Sequence, residues 1–216
     1  MSGAFLWRDG QMVDLGTLGG DTSLATAVND RGEITGLSFA SAFELHAFLW
    51  RDGVMSDLGT LNGGFARAED INNRGQVVGD SSVDGMNSVP VLWQRGTITA
   101  LSEGFGDATA INDRGQVTGL YFGGNGSFLW SNGRLTDLGT LPGATFSQAY
   151  GINNHSQIVG YTDFDAFVWQ RGKMTALPRL TTGNTSAQDI NDRGQIVGTS
   201  VTDPDFGDYH AVLWTR

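Results

Sequence analysis

The stretch Ile71–Gly79, with the sequence INNRGQVVG, decides the fold because versions of it recur along the chain. The copies are VNDRGEITG (28–36), INNRGQVVG (71–79), INDRGQVTG (111–119), INNHSQIVG (152–160) and INDRGQIVG (190–198). Tandem repeats with a period of about 20–50 residues are typical of solenoids, propellers and similar arrays. The sequence therefore predicts a protein built from one repeated structural unit.

Two further motifs share this period. An aromatic pentad ends at a tryptophan every 37 to 45 residues, as in HAFLW (46–50) and DAFVW (165–169). A second motif follows most of these tryptophans, as in MSDLGTL (55–61) and LTDLGTL (135–141). Together the three motifs account for the whole of residues 1–216, so we predict a single domain of about five repeats.

Each repeat can be divided into four short strands. The segment before each Asn, the GQIVG segment, the Phe-Leu-Trp segment and the Met-Ser-Asp-Leu segment are rich in residues that favour strands. The Asn-Asp-Arg-Gly and Arg-Asp-Gly clusters between them are typical turns. Four antiparallel strands in about 42 residues make one propeller blade. We therefore predict an all-β, five-bladed β-propeller with four-stranded antiparallel blades; an open solenoid and a sandwich are the alternatives.

The two ends of the chain carry parts of a repeat. The chain starts with a third and a fourth strand, GAFLW and QMVDLG, and finishes on a third strand, HAVLWTR. We expect the N- and C-terminal strands to close the last blade together. That arrangement leaves one third strand surplus, either Phe5–Trp7 or Val212–Trp214. The surplus strand is displaced, it pairs with another chain, or the ring closes differently, so the sequence allows a monomer or a dimer.

The composition excludes several classes of function. The 216 residues include 32 Gly and no Cys, which rules out disulfides, thiol nucleophiles and cysteine-ligated metals. A net charge of −10 repels phosphate backbones, so no nucleic-acid partner is expected. No apolar run is long enough for a membrane span, and MSGAFLWRDG lacks the pattern of a signal peptide. The chain as given fits a cytoplasmic location without a membrane partner, and the sequence leaves the location open.

The repeat resembles the HAF repeat family. The resemblance rests on His46–Trp50 (HAFLW), Asp57–Leu61 (DLGTL) and Ile71–Gly79, and it covers essentially the whole chain. HAF repeats are described as probable extracellular repeats, so the resemblance implies an extracellular location. The strand order is also similar to that of NHL-type propeller repeats. Neither resemblance implies a set of catalytic residues.

The repeats serve as controls for one another, because positions that recur are scaffold and positions that differ can carry a single function. Aligned on the last residue before each Asn, every first strand has Ala three positions earlier, which fits a crowded inner strand. The positions two, four and six residues earlier differ between copies and share one face of the strand, since side chains alternate. They are Thr26, Glu69, Thr109, Tyr150 and Gln188; Leu24, Arg67, Asp107, Gln148 and Ser186; and Thr22, Phe65, Phe105, Phe146 and Asn184.

This variable face predicts a ligand site at one mouth of a central channel, because it combines apolar walls with a few polar groups. We expect a recognition module for a small molecule, glycan or peptide. The predicted binding residues are Arg67, Asp107, Gln148, Tyr150, Gln188, Phe65, Phe105 and Phe146. The alternative is a metal-free enzyme, such as a cyclase, lyase, isomerase or hydrolase, with Glu69, Asp70 and Asp189 as acid and base. A structural or assembly role is a third possibility. No cofactor or metal is expected in any of them.

Overall fold

The chain consists of β-strands. The computed structural model describes residues 3–62, 64–124, 126–203 and 208–215, and every regular element in these ranges is a strand. These ranges contain no helix that is long and apolar enough to cross a bilayer. The prediction of an all-β protein is confirmed.

Two compact units make up the chain, Met1–Ala108 and Thr109–Arg216, and their boundary falls inside one strand. Each unit is described by itself. The single domain of five blades stays a prediction.

The first unit contains ten complete strands. A two-stranded sheet is followed by two four-stranded antiparallel sheets in chain order. The strands are β1 (Phe5–Arg8) and β2 (Gln11–Asp14); β3 (Ser23–Val28), β4 (Ile34–Phe39), β5 (Leu45–Arg51) and β6 (Val54–Asp57); and β7 (Ala66–Ile71), β8 (Val77–Ser82), β9 (Ser88–Gln94) and β10 (Thr97–Ala100).

The remaining strands form two four-stranded sheets and one three-stranded sheet. The unit boundary lies in the first of these strands. They are β11 (Gly106–Ile111), β12 (Val117–Tyr121), β13 (Gly126–Ser131) and β14 (Arg134–Asp137); β15 (Ser147–Ile152), β16 (Ile158–Thr162), β17 (Ala166–Gln170) and β18 (Lys173–Ala176); and β19 (Thr185–Ile190), β20 (Ile196–Asp203) and β21 (Asp208–Trp214). The four-stranded repeat predicted from the sequence is confirmed for the complete sheets.

The expected closure of the last blade is wrong. In the described part of the chain, β1 and β2 pair only with each other, and β21 occupies the third place in the sheet of β19 and β20. The surplus third strand is therefore β1. It is retained beside β2 because Ala4, Leu6 and Leu15 pack against Phe48 and Trp50 of the next sheet.

The hairpin turn between the third and fourth strands is the same in every repeat that has both. A non-glycine residue with positive φ is followed by a glycine with positive φ, at Asp9, Asp52, Arg95, Asn132 and Arg171. Two successive positive φ values define a type I′ turn, whose twist matches the twist of paired strands. The Arg-Asp-Gly signal in the sequence is thus confirmed as a tight hairpin.

The Asn of the hairpin between the first and second strands stabilises its own turn in every repeat, and in three repeats it also ties that turn to the next repeat. Asn29 Oδ1 accepts hydrogen bonds from the backbone N–H groups of Arg31 and Glu33. Its Nδ2 donates to the carbonyl oxygen of Asn72, the equivalent residue one repeat later, at 3.0 Å. In the second unit, Asn112 and Asn153 bind the next Asn carbonyl in the same way. Turn chemistry predicted the first role but not the second.

Four of the first strands, β3, β7, β15 and β19, carry a β-bulge directly after the recurring Ala. In β7 the pairing steps from Ala68 to Asp70 and leaves Glu69 as the extra residue, and β3, β15 and β19 have the same irregularity. The bulge presses the first strand onto a glycine of the second. A Cβ on Gly79 would lie 1.9 Å from the carbonyl oxygen of Arg67, so only glycine fits there.

The tryptophans pack between successive sheets, as expected from their recurrence. Trp93 belongs to one apolar cluster with Ile71 and Val77, and Leu49 and Leu58 of the preceding sheet pack against that cluster. Trp50 and Trp169 are also buried. Core packing is therefore the role of these side chains, and the variable face lies elsewhere on the strands.

Candidate functional site

An ionic cluster occupies the variable face of the sheet β7–β10 in the first unit. Arg67 Nε lies 2.7 Å from Glu69 Oε1 and donates a hydrogen bond to Asp80 Oδ1 at 3.0 Å. Arg67 and Glu69 project from β7 two positions apart, and Asp80 is the direct cross-strand partner of Arg67 on β8. The register of β7 and β8 thus places the guanidinium between two carboxylates.

Burial differs across the ionic cluster. The side chain of Asp80 is 5% exposed, whereas those of Arg67 and Glu69 are 39% and 30% exposed. Asp80 therefore anchors the guanidinium from below, and Glu69 remains accessible to solvent. Asp107, the residue of β11 equivalent to Arg67, completes the ionic cluster electrostatically, because its charge affects both Arg67 and Glu69.

The carboxyl groups of the ionic cluster are harder to ionise than isolated ones. Burial raises the pKa of Glu69, Asp80 and Asp107, and for Glu69 and Asp107 the neighbouring carboxylate of Asp80 raises it further. Arg67 opposes these shifts without cancelling them. Burial lowers the pKa of Arg67, but the carboxylates of Asp80 and Glu69 outweigh that effect and raise it.

The bulge turns Asp70 to the same side as Glu69. Both residues are half-buried, between the buried Ala68 and Ile71, so the strand does not alternate at this point. Asp70 Oδ1 accepts a hydrogen bond from the backbone N–H of Ile71 at 2.8 Å. Asp189 makes the same contact with Ile190 at 2.7 Å. Both predicted catalytic aspartates thus stabilise the backbone beside a bulge.

An aromatic cluster occupies the equivalent face of the sheet β15–β18 in the second unit. The ring of Tyr150 stacks on that of Tyr161, with centroids 5.7 Å apart and planes 23° apart. Phe146 meets Tyr161 edge to face, with a centroid distance of 6.3 Å. The hydroxyl of Tyr161 donates to Gln148 Oε1 at 3.1 Å. Three predicted binding residues, Phe146, Gln148 and Tyr150, are therefore brought together around Tyr161.

Three predicted residues lie apart from these interactions. Gln188 is exposed on β19, and its Nε2 donates to Ser186 Oγ at 2.9 Å. Phe105 is exposed just before β11. Phe65 is half-buried and forms a bridge with Leu45 through its backbone, and its carbonyl accepts from Ser82.

Sequence reasoning missed Asp80 and Tyr161, which are central to their clusters. Each follows the glycine that the bulge requires in the second strand, and each pairs across from the first-strand residue four positions before the aligned Ile. The equivalent residues are Leu37, Asp80, Leu120, Tyr161 and Thr199, so this position holds four different residue types in five repeats. That variability, directly after an otherwise constant Gly, is the signal that could have found them.

Two clefts formed by described residues lie away from both clusters. One cleft of about 350 Å³ runs between the sheets β3–β6 and β7–β10 and is lined by Arg51, Arg74, Arg95 and Trp93 among others. A smaller cleft in the second unit is lined by Val168, Pro178 and Trp214 among others. Within the described ranges, no three His, Asp or Glu side chains form a group that could hold a metal ion.

Comparison with known proteins shows the fold. No family model matches the sequence, so the resemblance to HAF repeats stays a prediction. A search of curated proteins finds no match. An X-ray structure described as a proposed gluconolactonase matches with a TM-score of 0.52 and 13% identity, covering 98% of this chain and 80% of that one.

TolB from Acinetobacter baumannii also matches, with a TM-score of 0.58 and 14% identity. The match covers 95% of this chain and 54% of TolB, so the chain spans about half the length of that protein. Both structures are β-propeller proteins, and at this level of identity they show the fold alone. The chain therefore has a propeller-like, all-β fold.

Proposed function

We propose that the protein is a recognition module whose ligand binds the variable face of the first and second strands. The observation that carries this proposal is the aromatic cluster, in which Tyr150 stacks on Tyr161 beside the amide of Gln148. Half-buried aromatic rings next to a polar amide provide a flat apolar surface and hydrogen-bonding groups at one place. That combination suits a small ring-shaped ligand with hydroxyl groups, such as a sugar.

The internal repeats support a binding role over simple packing. The residues equivalent to Tyr150 in the other repeats are Thr26, Glu69, Thr109 and Gln188, and the backbone forms the same bulge around them in β3, β7 and β19. The fold therefore does not require an aromatic side chain at this position. A cluster that the scaffold does not need is available for a ligand.

Calorimetric titration with glucose, N-acetylglucosamine, maltose and cellobiose tests this proposal. Tyr150→Ala should weaken the binding of any sugar that binds by at least about tenfold, equivalent to about 1.4 kcal/mol. Gln188→Ala is the matched control, since it alters the same repeat position in the same unit, and it should change affinity less than about twofold. If none of these sugars binds the wild-type protein, the sugar proposal is rejected.

A metal-free hydrolase is a second candidate, favoured by the ionic cluster. Glu69 has a raised pKa, is partly exposed and lies against Arg67, so it could exchange a proton while the guanidinium stabilises a developing negative charge. The fold match to a proposed gluconolactonase suggests a lactone as the test substrate. Asp70 and Asp189 are weaker candidates for acid or base, because each already accepts a backbone hydrogen bond.

Hydrolysis of glucono-δ-lactone, measured above its spontaneous rate, tests the second candidate. Glu69→Gln should reduce the enzymatic rate at least about hundredfold, in line with the usual contribution of a general acid or base. Glu103→Gln is the control, because Glu103 is an exposed glutamate outside the ionic cluster. A rate equal to the spontaneous one in the wild-type protein would reject this activity.

A further inference from the structure

Successive sheets pack through two different faces. In the second unit, Val159 and Val168 of the sheet β15–β18 lie against Ala187, Ile190 and Ile196 of the sheet β19–β21. The surface that carries Val159 and Val168 is called the forward face of its sheet. The surface that carries Ala187, Ile190 and Ile196 is called the rear face, and it also includes the repeat tryptophan. In the first unit, Leu49 on a forward face likewise packs against the cluster of Ile71 and Trp93 on a rear face.

The forward face of the last sheet is uncovered. Val197 is 47% exposed, whereas the residues at the same repeat position, Thr35, Val78, Thr118 and Val159, are fully buried. Leu213 is 58% exposed, whereas its equivalent Leu92 is 6% exposed. Ala211 is also exposed, although the equivalent Ala47 and Ala166 are fully buried.

The rear face at the start of the chain is uncovered as well. Phe5 is 55% exposed, although its equivalents Phe48, Phe128 and Phe167 are fully buried. Trp7 is 63% exposed, although Trp50, Trp93 and Trp169 are buried. Met12, the cross-strand partner of Trp7, extends the same apolar surface and is also exposed. This surface is the type that covers a forward face elsewhere in the molecule.

We propose that the rear face formed by Phe5, Trp7 and Met12 of one copy packs against the forward face formed by Val197, Ala211 and Leu213 of a second copy. The occupant is identified by the interior of the protein, where each forward face is covered by a rear face with the same side-chain types. Burying these apolar side chains on both surfaces provides the driving force. In this proposal the two copies meet through the faces of their sheets, and not through pairing of the surplus third strand with another chain.

The two surfaces differ, so the contact is head-to-tail. Each copy that binds through its rear face still offers a free forward face, and a contact of this kind extends until the ends meet or the chain of copies is interrupted. We therefore expect wild-type protein to form dimers and larger species whose proportion rises with concentration. Sedimentation velocity at moderate salt, which reduces repulsion between copies of net charge −10, measures this directly.

Two blocked variants test the direction of the contact. Val197→Glu/Leu213→Glu removes the forward face, and Phe5→Glu/Trp7→Glu removes the rear face. Each variant alone should sediment as a monomer, because its remaining intact face has no complement. An equimolar mixture should form a one-to-one dimer that does not grow further, since each dimer retains only blocked ends.

Exposed apolar residues away from these faces provide the control. Phe43→Glu and Met86→Glu change two almost fully exposed side chains in loops and should leave assembly unchanged. Thermal unfolding followed by circular dichroism checks that all variants are folded. A wild-type protein that stays monomeric at every concentration overturns the proposal. A mixture of the two blocked variants that does not dimerise overturns it as well.

Discussion

The ionic cluster of the sheet β7–β10 and the aromatic cluster of the sheet β15–β18 occupy the same positions of the repeat. Arg67 corresponds to Gln148, Glu69 to Tyr150 and Asp80 to Tyr161. In both sheets a bulge follows the recurring Ala, and a glycine of the second strand lies under the preceding carbonyl. One backbone therefore supports either a set of charges or a set of rings.

This comparison separates what the fold needs from what a site needs. The bulge and its glycine are common to both sheets, so they belong to the scaffold. The side chains that project from it are exchangeable, because charges and rings are each stabilised by partners within their own cluster. The following predictions test that separation, beginning with the change expected to have the largest effect.

Replacing the glycine beneath the bulge should be the most damaging change in either sheet. Gly79→Ala and Gly160→Ala would each place a Cβ 1.9 Å from a carbonyl oxygen, which forces the two strands apart. We expect each substitution to lower the free energy of unfolding by at least about 3 kcal/mol, measured by urea denaturation. Gly3→Ala is the control, since its Cβ would lie at an ordinary contact distance of 3.5 Å from Asp14 Oδ1. Equal stability of Gly79→Ala and the wild type would contradict the shared scaffold.

Removing the polar centre of each cluster should have unequal consequences. Arg67→Ala leaves the buried Asp80 carboxylate without its cation and should cost about 1–3 kcal/mol at pH 7. Tyr161→Phe removes one hydrogen bond to Gln148 and should cost about 1 kcal/mol or less.

The two costs should also differ in their dependence on pH. Because the pKa values of Glu69, Asp80 and Asp107 are raised in the folded protein, lowering the pH protonates these groups in the fold before the unfolded chain. Once these carboxyl groups are protonated, they no longer need the cation of Arg67. The free energy of unfolding lost in Arg67→Ala should therefore become smaller as the pH falls from 7 through the raised pKa values towards the ordinary ones. The deficit of Tyr161→Phe should stay constant over that range. Unfolding curves at several pH values distinguish the two behaviours.

Transplanting one cluster onto the other sheet should change stability only slightly. Arg67→Gln/Glu69→Tyr/Asp80→Tyr reproduces the aromatic cluster in the sheet β7–β10, where Phe65 already corresponds to Phe146. Replacing partly buried charges by packed neutral groups is often close to neutral, so we expect a change below about 1.5 kcal/mol. Loss of cooperative unfolding in this variant would show that the scaffold depends on the charges.

The aspartates beside the bulges should tolerate an amide. Asn at position 70 or 189 retains an oxygen that can accept the backbone N–H of the following Ile. Asp70→Asn and Asp189→Asn should therefore each change the free energy of unfolding by no more than about 1 kcal/mol, which thermal melting would show as a small shift. A loss several times larger in either variant would make the carboxylate charge itself a structural requirement.

The sequence predicted the scaffold well because its physical requirements recur. The Asn turns, the Gly hairpins and the buried tryptophans appear in most copies, and the structure confirms the strands between them. Periodicity also placed Arg67 with Glu69, and Phe146 with Gln148 and Tyr150, on one face. These are relations within a single strand, where alternation of side chains is a sufficient guide.

The sequence could not supply relations that depend on pairing between strands. The bulge has no residue signature at Glu69 or Tyr150, since the extra residue is Thr, Glu, Tyr or Gln in the four bulged strands. Asp80 and Tyr161 join their clusters through the register of the second strand, which only the structure gives. Equal motifs at both ends could not say which third strand pairs with β20, and the expectation that both termini close the last blade was wrong.

An NMR titration of the side-chain carboxyl groups of Glu69, Asp80 and Asp107 tests the ionic cluster most directly. All three groups should titrate above the ordinary pKa of their residue type, and Arg67→Ala should move them higher still. Titration of all three at ordinary values, unchanged by the loss of Arg67, would contradict the presence of a cluster on this face.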